Sequence, residues 1–361
     1  MLIGMDLRPN PSRLMVYISP IIAVFLTILA AMIMFKFLDV DPIQAIKTFF
    51  IEPISSLEGL AELCIKATPL ILIGVGLSFG FQADIWNIGA EGQLTIGALA
   101  GGGLAIAFYN TESVLLLPAM LLAGILGGMA WGAIPAWLKS KFNTNEILSS
   151  LMMTYVGLLV LGYLIHGPWK DPEGQNFPES RLFHDAALLP ILLEETRLNI
   201  GSLIALLVVV AALVITTRHV VGFQIKVLGM APLAANFAGY KEKKLIWLTF
   251  MLSGGCAGLA GIIEVSGAIG QIVPTISPGY GFTAIIVAFL GRLHPIGIVF
   301  AGLLMALTYL GGDSAQITMN LPNAVTGVFQ GMLLFFLLAS DVLIKYRIRF
   351  RGSKRVKEPI K

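Results

Sequence analysis

Apolar runs long enough to cross a membrane recur along the chain, and short polar stretches separate them. A helix of about 20 apolar residues crosses the roughly 30 Å hydrocarbon core of a bilayer. The runs predict ten such helices, at residues 17–37, 62–80, 92–109, 113–137, 146–166, 199–217, 245–267, 280–291, 295–310 and 323–343. Because lipid offers the backbone no hydrogen-bonding partner, the spans must be helical. The pattern predicts an all-α polytopic membrane protein.

Ten spans divide into two halves of five. An odd number of spans in each half means that related halves are inverted with respect to one another, as in many transporters. Two polar interruptions occupy corresponding places, at residues 81–91 after the second span and at residues 267–282 after the seventh. We therefore expect two inverted five-helix halves, each interrupted near a passage through the membrane.

Composition and charge exclude a soluble protein and predict the orientation. Of the 361 residues, 57% are hydrophobic and only 12% are charged. With the N-terminus inside, the inner segments contain 18 of the 24 lysines and arginines, as the positive-inside rule requires. Residues 1–16 and the basic tail 344–361 are thus expected in the cytoplasm, with 17–343 as the membrane domain. The tail is expected to lie near anionic membrane lipid, and no nucleic-acid partner is expected.

The stretch "FGFQADIWNIGAEGQLTIGA", residues 79–98, is unusually polar for its surroundings. Polar and ionisable groups at membrane depth are costly, so they must pair or face water. One hypothesis is that they line a translocation pathway, and the other is that they cap or pack helices, with Asn87 as an N-cap and Glu91 satisfying first-turn amides. The candidate pathway residues are Asp84, Trp86, Asn87, Glu91, Gln93, Glu264, Gln271 and Tyr280.

A second informative stretch, residues 222–244, lies among basic residues on the predicted inner side. Gly229, Pro232 and Gly239 frame a short helix, "APLAANFA". A short exposed helix with small and apolar faces suggests docking on another protein. The alternative is a connector that lies on the bilayer surface.

Several blocks, in the same order, resemble ABC-transporter permeases of the branched-chain amino acid and ribose class. They are "NIGAEGQLTIGALAG", "NEILSSLMMTYV", "GLAGIIEVSG", "PGYGFTAIIVAFLGRLHPIGIVFAGLL" and the 222–244 stretch. Within that class they look most like nucleoside importer permeases that work with basic-membrane-protein-type binding proteins. The resemblance runs from about residue 60 to 343. We expect the whole chain, residues 1–361, to form one transmembrane permease domain in a bacterial inner membrane.

The resemblance also implies partners: a cytoplasmic ATPase, a second permease that is a shorter paralogue, and an extracytoplasmic substrate-binding lipoprotein. Ala231 to Ala238 would be the coupling helix that sits in a groove of the ATPase. The residues assigned to this contact are Gly229, Ala231, Pro232, Leu233, Ala234, Ala235, Asn236, Phe237 and Gly239.

The sequence contains no motif for chemistry of its own. It has no G-x-x-x-x-G-K-[ST] phosphate loop, no Ser-His-Asp or HExxH constellation, and no metal or disulfide spacing at Cys64 and Cys256. We therefore expect a transport subunit that is not an enzyme and binds no cofactor, with ATP used by the partner. The alternatives are a permease for sugars such as ribose, or an ion-coupled transporter in which Asp84, Glu91 and Glu264 carry the ion.

Overall fold

A computed structural model describes residues 2–8, 12–174, 176–322 and 324–351 of the chain. In these ranges, eight helices are long and apolar enough to cross a membrane. They are Ile18–Phe37, Leu57–Gln82, Leu116–Phe142, Glu146–His166, Gly201–Arg218, Glu242–Ile269, Pro295–Met319 and Ala324–Ile344. The described part of the chain is otherwise helical apart from connections and one small strand pair, which agrees with the predicted all-α membrane class.

The elements in chain order are as follows. The first group is β1 (Leu2–Leu7), α1 (Arg13–Phe37), α2 (Pro42–Phe50), α3 (Leu57–Gln82), α4 (Ala90–Ala107), α5 (Leu116–Phe142), α6 (Glu146–His166) and α7 (Gly201–Arg218). The second is α8 (Val220–Met230), α9 (Pro232–Phe237), α10 (Glu242–Ile263), α11 (Tyr280–Leu290), α12 (Pro295–Met319), α13 (Ala324–Lys345) and β2 (Tyr346–Arg351). Six residues after α10, Glu264–Ile269, continue it as a π-helical turn.

Two of the predicted spans differ from the others. The helix α4 begins with polar residues, and α11 has only 11 residues, so that α11 is about 16 Å long at 1.5 Å per residue. That length is about half of the hydrocarbon core. Ten complete spans and two inverted halves therefore stay a prediction, with eight long helices established in the described residues.

Side-chain caps explain where several helices begin. Ser12 accepts a hydrogen bond from the N–H of Met15, Ser56 from Gly59, and Asn145 from Ile147. Each cap satisfies a first-turn donor that has no partner within its helix.

The chain forms two compact units. One consists of the described residues within 2–51 and 312–351. In it, α1 packs along α13, and Phe35, Phe49 and Phe329 form an aromatic cluster in which Phe49 stacks on Phe329 at 6.1 Å between ring centroids. The strands β1 and β2 pair antiparallel, which the sequence analysis did not predict for the two terminal segments. Residues 352–361 of the predicted basic tail lie outside the described residues.

The second unit, residues 52–311, is built around α10, which packs against α3, α4 and α5. The contacts are close because glycines face one another. A Cβ atom added at Gly258 would lie 2.1 Å from the carbonyl oxygen of Gly124, and one at Gly97 would lie 2.2 Å from the Cα of Gly258. Helices in lipid associate through such close van der Waals packing, because lipid is as apolar as their side chains.

Replacing Gly258 with alanine should therefore destabilise this unit by about 1–3 kcal/mol, the usual cost of overpacking a filled interior. The matched control is Gly162→Ala in α6, where an added Cβ would meet no atom within 4 Å. We expect a clearly lower midpoint of thermal unfolding for Gly258→Ala, measured on the purified protein in detergent, and an unchanged or higher one for Gly162→Ala. Equal midpoints for both variants would contradict the packing account.

The connection between α6 and α7 is ordered by backbone contacts with the end of α10. The N–H of Ser180 donates to the carbonyl of Ile272 at 2.9 Å, and that of Leu189 donates to Ser266 at 2.9 Å. Arg197 of this connection forms a bidentate pair with Glu62 of α3 at 2.8 Å, and this hydrogen bonding raises the pKa of the Arg197 guanidinium. The connection is thus packed against the helical unit.

Candidate functional site

The polar stretch found in the sequence forms the break between α3 and α4. The helix α3 ends at Gln82, and Asp84 has a left-handed backbone with φ of 57°. Residues 85–89 have no regular structure, and α4 begins at Ala90. Most of this segment is nevertheless buried, as Ile85, Asn87 and Gly89 show. Irregular backbone at membrane depth persists only where protein or a wet cavity covers it.

Asn87 is held by a compact amide network. Its Nδ2 donates to Gln93 Oε1 at 2.8 Å and to Ser253 Oγ at 2.5 Å, and its Oδ1 accepts from Gln93 Nε2 at 3.2 Å. The Oδ1 atom also accepts from the N–H of Gly89. All three side chains are buried, so the network satisfies polar groups that would otherwise be costly. It joins the break to α4 and α10.

Glu91 connects the first turns of two helices. Its Oε2 accepts a hydrogen bond from the N–H of Gly281, in the first turn of α11, at 2.6 Å. A Cβ added at Gly281 would lie 2.3 Å from the backbone nitrogen of Glu91, so the two helices meet N-terminus to N-terminus. Helix N-termini carry partial positive charge and unpaired N–H groups, and a carboxyl group between them suits both. Glu91 therefore holds α4 and α11 together.

Glu264 lies in the π-helical turn and is also buried. Tyr280, Lys66 and Arg197 are near enough to interact with it electrostatically. The adjoining cavity, lined by Thr68, Asn199 and Ser202 among others, has a volume of about 10 Å³. That is room for about one water molecule. The surroundings of Glu264 thus suit a packed polar contact better than a solute.

Asp84 and Trp86 lie apart from these buried groups. Asp84 is exposed and accepts a hydrogen bond from the indole N–H of Trp86 at 3.0 Å. The indole stacks on the ring of Phe289 in α11, with 5.6 Å between ring centroids. The Phe81 ring also stacks on Phe289, at 5.0 Å between centroids. The aromatic group therefore ties the break to the far end of α11.

Gln271 and Tyr280 flank the second interruption. Gln271 is half-buried and its Nε2 donates to Glu179 in the connection between α6 and α7, at 2.5 Å. Tyr280 is fully buried and meets Tyr309 edge to face at 5.5 Å. The eight candidate residues thus form several local clusters around the two interruptions.

The family model for the permease component of branched-chain amino acid transport systems matches residues 59–338. The chain belongs to this permease family. A glucose ABC transporter permease of Haloferax volcanii is 36% identical to this permease, over 98% of this chain and 96% of the relative. A guanosine ABC transporter permease of Bacillus subtilis is 31% identical over 81% and 83%, and a nucleoside ABC transporter permease of Lactococcus lactis is 28% identical over 90% and 91%. No solved structure matches the permease.

The family membership confirms the predicted class, a permease subunit of an ABC importer. In this permease the stretch expected to dock on a partner has two helices, α8 and α9, and the sequence analysis predicted only the second. A Cβ added at Gly229 would lie 2.1 Å from the carbonyl oxygen of Gln82, so α8 rests on the end of α3. Pro232 is the first residue of α9, and Gly239, with φ of 79°, follows its end.

The short helix α9 presents large apolar side chains to its surroundings. Leu233 is 75% exposed and Phe237 is 94% exposed, whereas Ala235 is fully buried. The other small members of the stretch, Ala231, Ala234, Asn236 and Ala238, are exposed. The helix thus combines two exposed large apolar side chains with one buried alanine.

The capping hypothesis needs a correction in its details. The N-cap of α4 is Gly89, without a side-chain cap, because the Asn87 side chain turns into the network with Gln93 and Ser253. Glu91 hydrogen-bonds the first turn of α11, which is a different helix from its own. The sequence showed that Asn87 and Glu91 are polar residues in an apolar region. Their hydrogen-bond partners, Ser253 and Gly281, lie 166 and 190 positions away along the chain.

Proposed function

We propose that this chain is the membrane-spanning subunit of an ATP-driven nucleoside importer in the bacterial inner membrane, with both termini in the cytoplasm. The family membership and the guanosine and nucleoside permeases among the relatives support the solute class. The distribution of lysine and arginine supports the orientation.

The passage, in this proposal, runs beside the two interruptions, and α4 and α11 are corresponding elements of two inverted five-helix halves. The half-length α11 and the contact of its first turn with that of α4 support this assignment. Transporters commonly place their solute site where such discontinuous helices meet. Asn87, Glu91, Gln93, Glu264 and Tyr280 would then shape the wall of the passage, and the more exposed Asp84, Trp86 and Gln271 would contact the solute.

The energy comes, in this proposal, from a separate ATPase that grips α9. The sequence has no phosphate-binding loop for ATP, and the exposed Leu233 and Phe237 give α9 an apolar surface to dock. A second permease would complete the passage, and an extracytoplasmic lipoprotein would deliver the solute. Selection with high affinity would belong to that lipoprotein, because tight binding within the passage would slow release. The permease itself would bind no cofactor and catalyse no reaction.

A monosaccharide is the second candidate solute, because the glucose permease relative covers nearly the whole chain. Reconstitution distinguishes the two. We expect vesicles that contain the permease, its partner subunits and ATP to accumulate labelled guanosine, with unlabelled adenosine as a competitor and glucose as a non-competitor. Accumulation of labelled glucose that nucleosides do not reduce would overturn the nucleoside proposal and leave the permease class intact.

A further inference from the structure

A cavity of about 300 Å³ lies where α3 and α7 end, beside α8 and the turn between α11 and α12. Its lining consists of Gln82, Thr216, Thr217, Lys226, Met230, Arg292, Leu293, His294 and Pro295. Three of these described lining residues are basic and none is acidic. The cavity therefore combines basic side chains with an apolar wall. This combination suits a ligand that has both an anionic group and an apolar part.

The turn that carries two of the basic residues is held in an uncommon conformation. Arg292 and Leu293 both have left-handed backbones, with φ of 60° and 54°. Such residues are strained and persist where surrounding contacts fix them. Here the N–H of Leu293 donates to Ala288 at 2.8 Å, and its carbonyl accepts from Gln82 Nε2 at 2.8 Å. The fold thus fixes Arg292 and His294 at the cavity.

Two further lining groups are positioned for a polar ligand. The Nζ of Lys226 donates to the carbonyl of Thr216 at 3.0 Å. An ammonium group has three donors, so this bond positions it without using its whole capacity. The Oε1 of Gln82 is buried and has no hydrogen-bond partner among the described residues. A ligand that offers both an anion and a hydroxyl donor would match Lys226, Arg292 and Gln82 together.

We propose that this cavity binds the headgroup of an anionic phospholipid of the inner leaflet. The phosphate would lie on Lys226 and Arg292, a headgroup hydroxyl would donate to Gln82, and the first acyl carbons would pack on Met230 and Pro295. Basic pockets at the cytoplasmic ends of membrane helices suit such headgroups. The assignment rests on the proposed function for its orientation, which places this cavity on the inner side.

A lipid in this cavity would also stiffen the element that leads to the proposed coupling helix. Lys226 and Met230 belong to α8, and α9 follows one residue later. Because α8 already rests on α3 through Gly229, a headgroup between Lys226 and Arg292 would tie α8 to the α11–α12 turn as well. Anionic lipid should therefore increase the fraction of ATP hydrolysis that results in transport.

The experiment counts phosphatidylglycerol molecules retained by the intact permease complex in native mass spectrometry, over a titration of added lipid. The test variant is Lys226→Gln with Arg292→Gln, and the matched control is Lys243→Gln with Lys244→Gln, two exposed basic residues outside the cavity. We expect about thirtyfold weaker binding of one phosphatidylglycerol in the test variant, from about 1 kcal/mol per basic residue. The control should bind it as the unaltered protein does.

Further measurements distinguish a lipid phosphate from free inorganic phosphate as the bound anion. Phosphatidylcholine should be retained weakly by all variants, and Lys226→Arg, which keeps the charge, should retain phosphatidylglycerol. Inorganic phosphate that displaces the lipid at equal concentration would identify a free-phosphate site and overturn the lipid assignment. Equal lipid binding by the test variant and the control would also overturn the lipid assignment. Loss of ATPase assembly in the test variant, whether or not lipid is added, would overturn it as well. Because binding is measured without transport, its outcome is independent of the transported solute.

Discussion

We expect uptake to fall about tenfold or more when Glu91 is replaced with alanine, while the protein still inserts into the membrane. The carboxyl group accepts a 2.6 Å hydrogen bond from the Gly281 N–H, and it lies between the first turns of α4 and α11. Removing it leaves a buried donor without an acceptor, which costs about 1–3 kcal/mol. Because this contact and close backbone packing join the first turns of the two helices, their relative position would change. The measurement is ATP-driven uptake in vesicles with equal amounts of inserted permease.

Two further variants make this result interpretable. Glu91→Gln retains an oxygen that accepts from Gly281, so most of the uptake should remain. Glu194→Ala removes an exposed carboxylate from the connection between α6 and α7, and uptake should be unchanged. Normal uptake by correctly inserted Glu91→Ala would show that the joint between α4 and α11 is not part of the passage. Loss of the folded protein in all Glu91 variants would assign it a purely structural role.

The second large effect concerns α9. Replacing Phe237 with arginine should leave the isolated ATPase active and nearly abolish uptake, because a charge enters an apolar contact. Central aromatic residues of an interface commonly contribute 2 kcal/mol or more, which corresponds to about a thirtyfold loss of affinity. The measurement is copurification of the ATPase with the permease, together with ATP-driven uptake. Phe237 is 94% exposed in the chain, so the substitution has little to disturb in the fold of the permease itself.

The matched control is Phe177→Arg, at another exposed phenylalanine, 60% accessible, in the connection between α6 and α7. Unchanged ATPase binding in that variant would show that position matters more than the added charge. Ala235→Arg is a poor test because Ala235 is fully buried, and the longer side chain would disturb the packing of α9. Normal copurification and uptake with Phe237→Arg would mean that α9 is not the coupling helix.

The sequence predicted best what depends on local hydrophobicity. The predicted span 146–166 coincides with α6, and the span 280–291 differs from α11 by one residue. Hydrophobic runs and caps such as Asn145 are local signals, so one sequence suffices to find them. The short helix α9 was found for the same reason, since Pro232 and Gly239 mark its ends.

Contacts between distant parts of the chain were beyond such signals. Glu264 has no basic residue near it in sequence, yet the fold brings Lys66 and Arg197 within electrostatic range. The amide pair of Asn87 and Gln93 could have been suspected from its spacing, but Ser253 comes from α10. The pairing of β1 with β2 joins segments near opposite ends of the sequence, and no periodic apolar pattern predicts it. Polarity indicated which residues matter, and only the structure supplied their partners.

The central claim is that the chain provides a passage and that a separate ATPase drives it. The most direct measurement compares vesicles that contain the permease with its partner subunits and ATP against vesicles that contain this chain alone under an ion gradient. We expect nucleoside accumulation only in the first, with none when ATP is withheld. Uphill accumulation by the chain alone, driven by a proton or sodium gradient, would contradict the account.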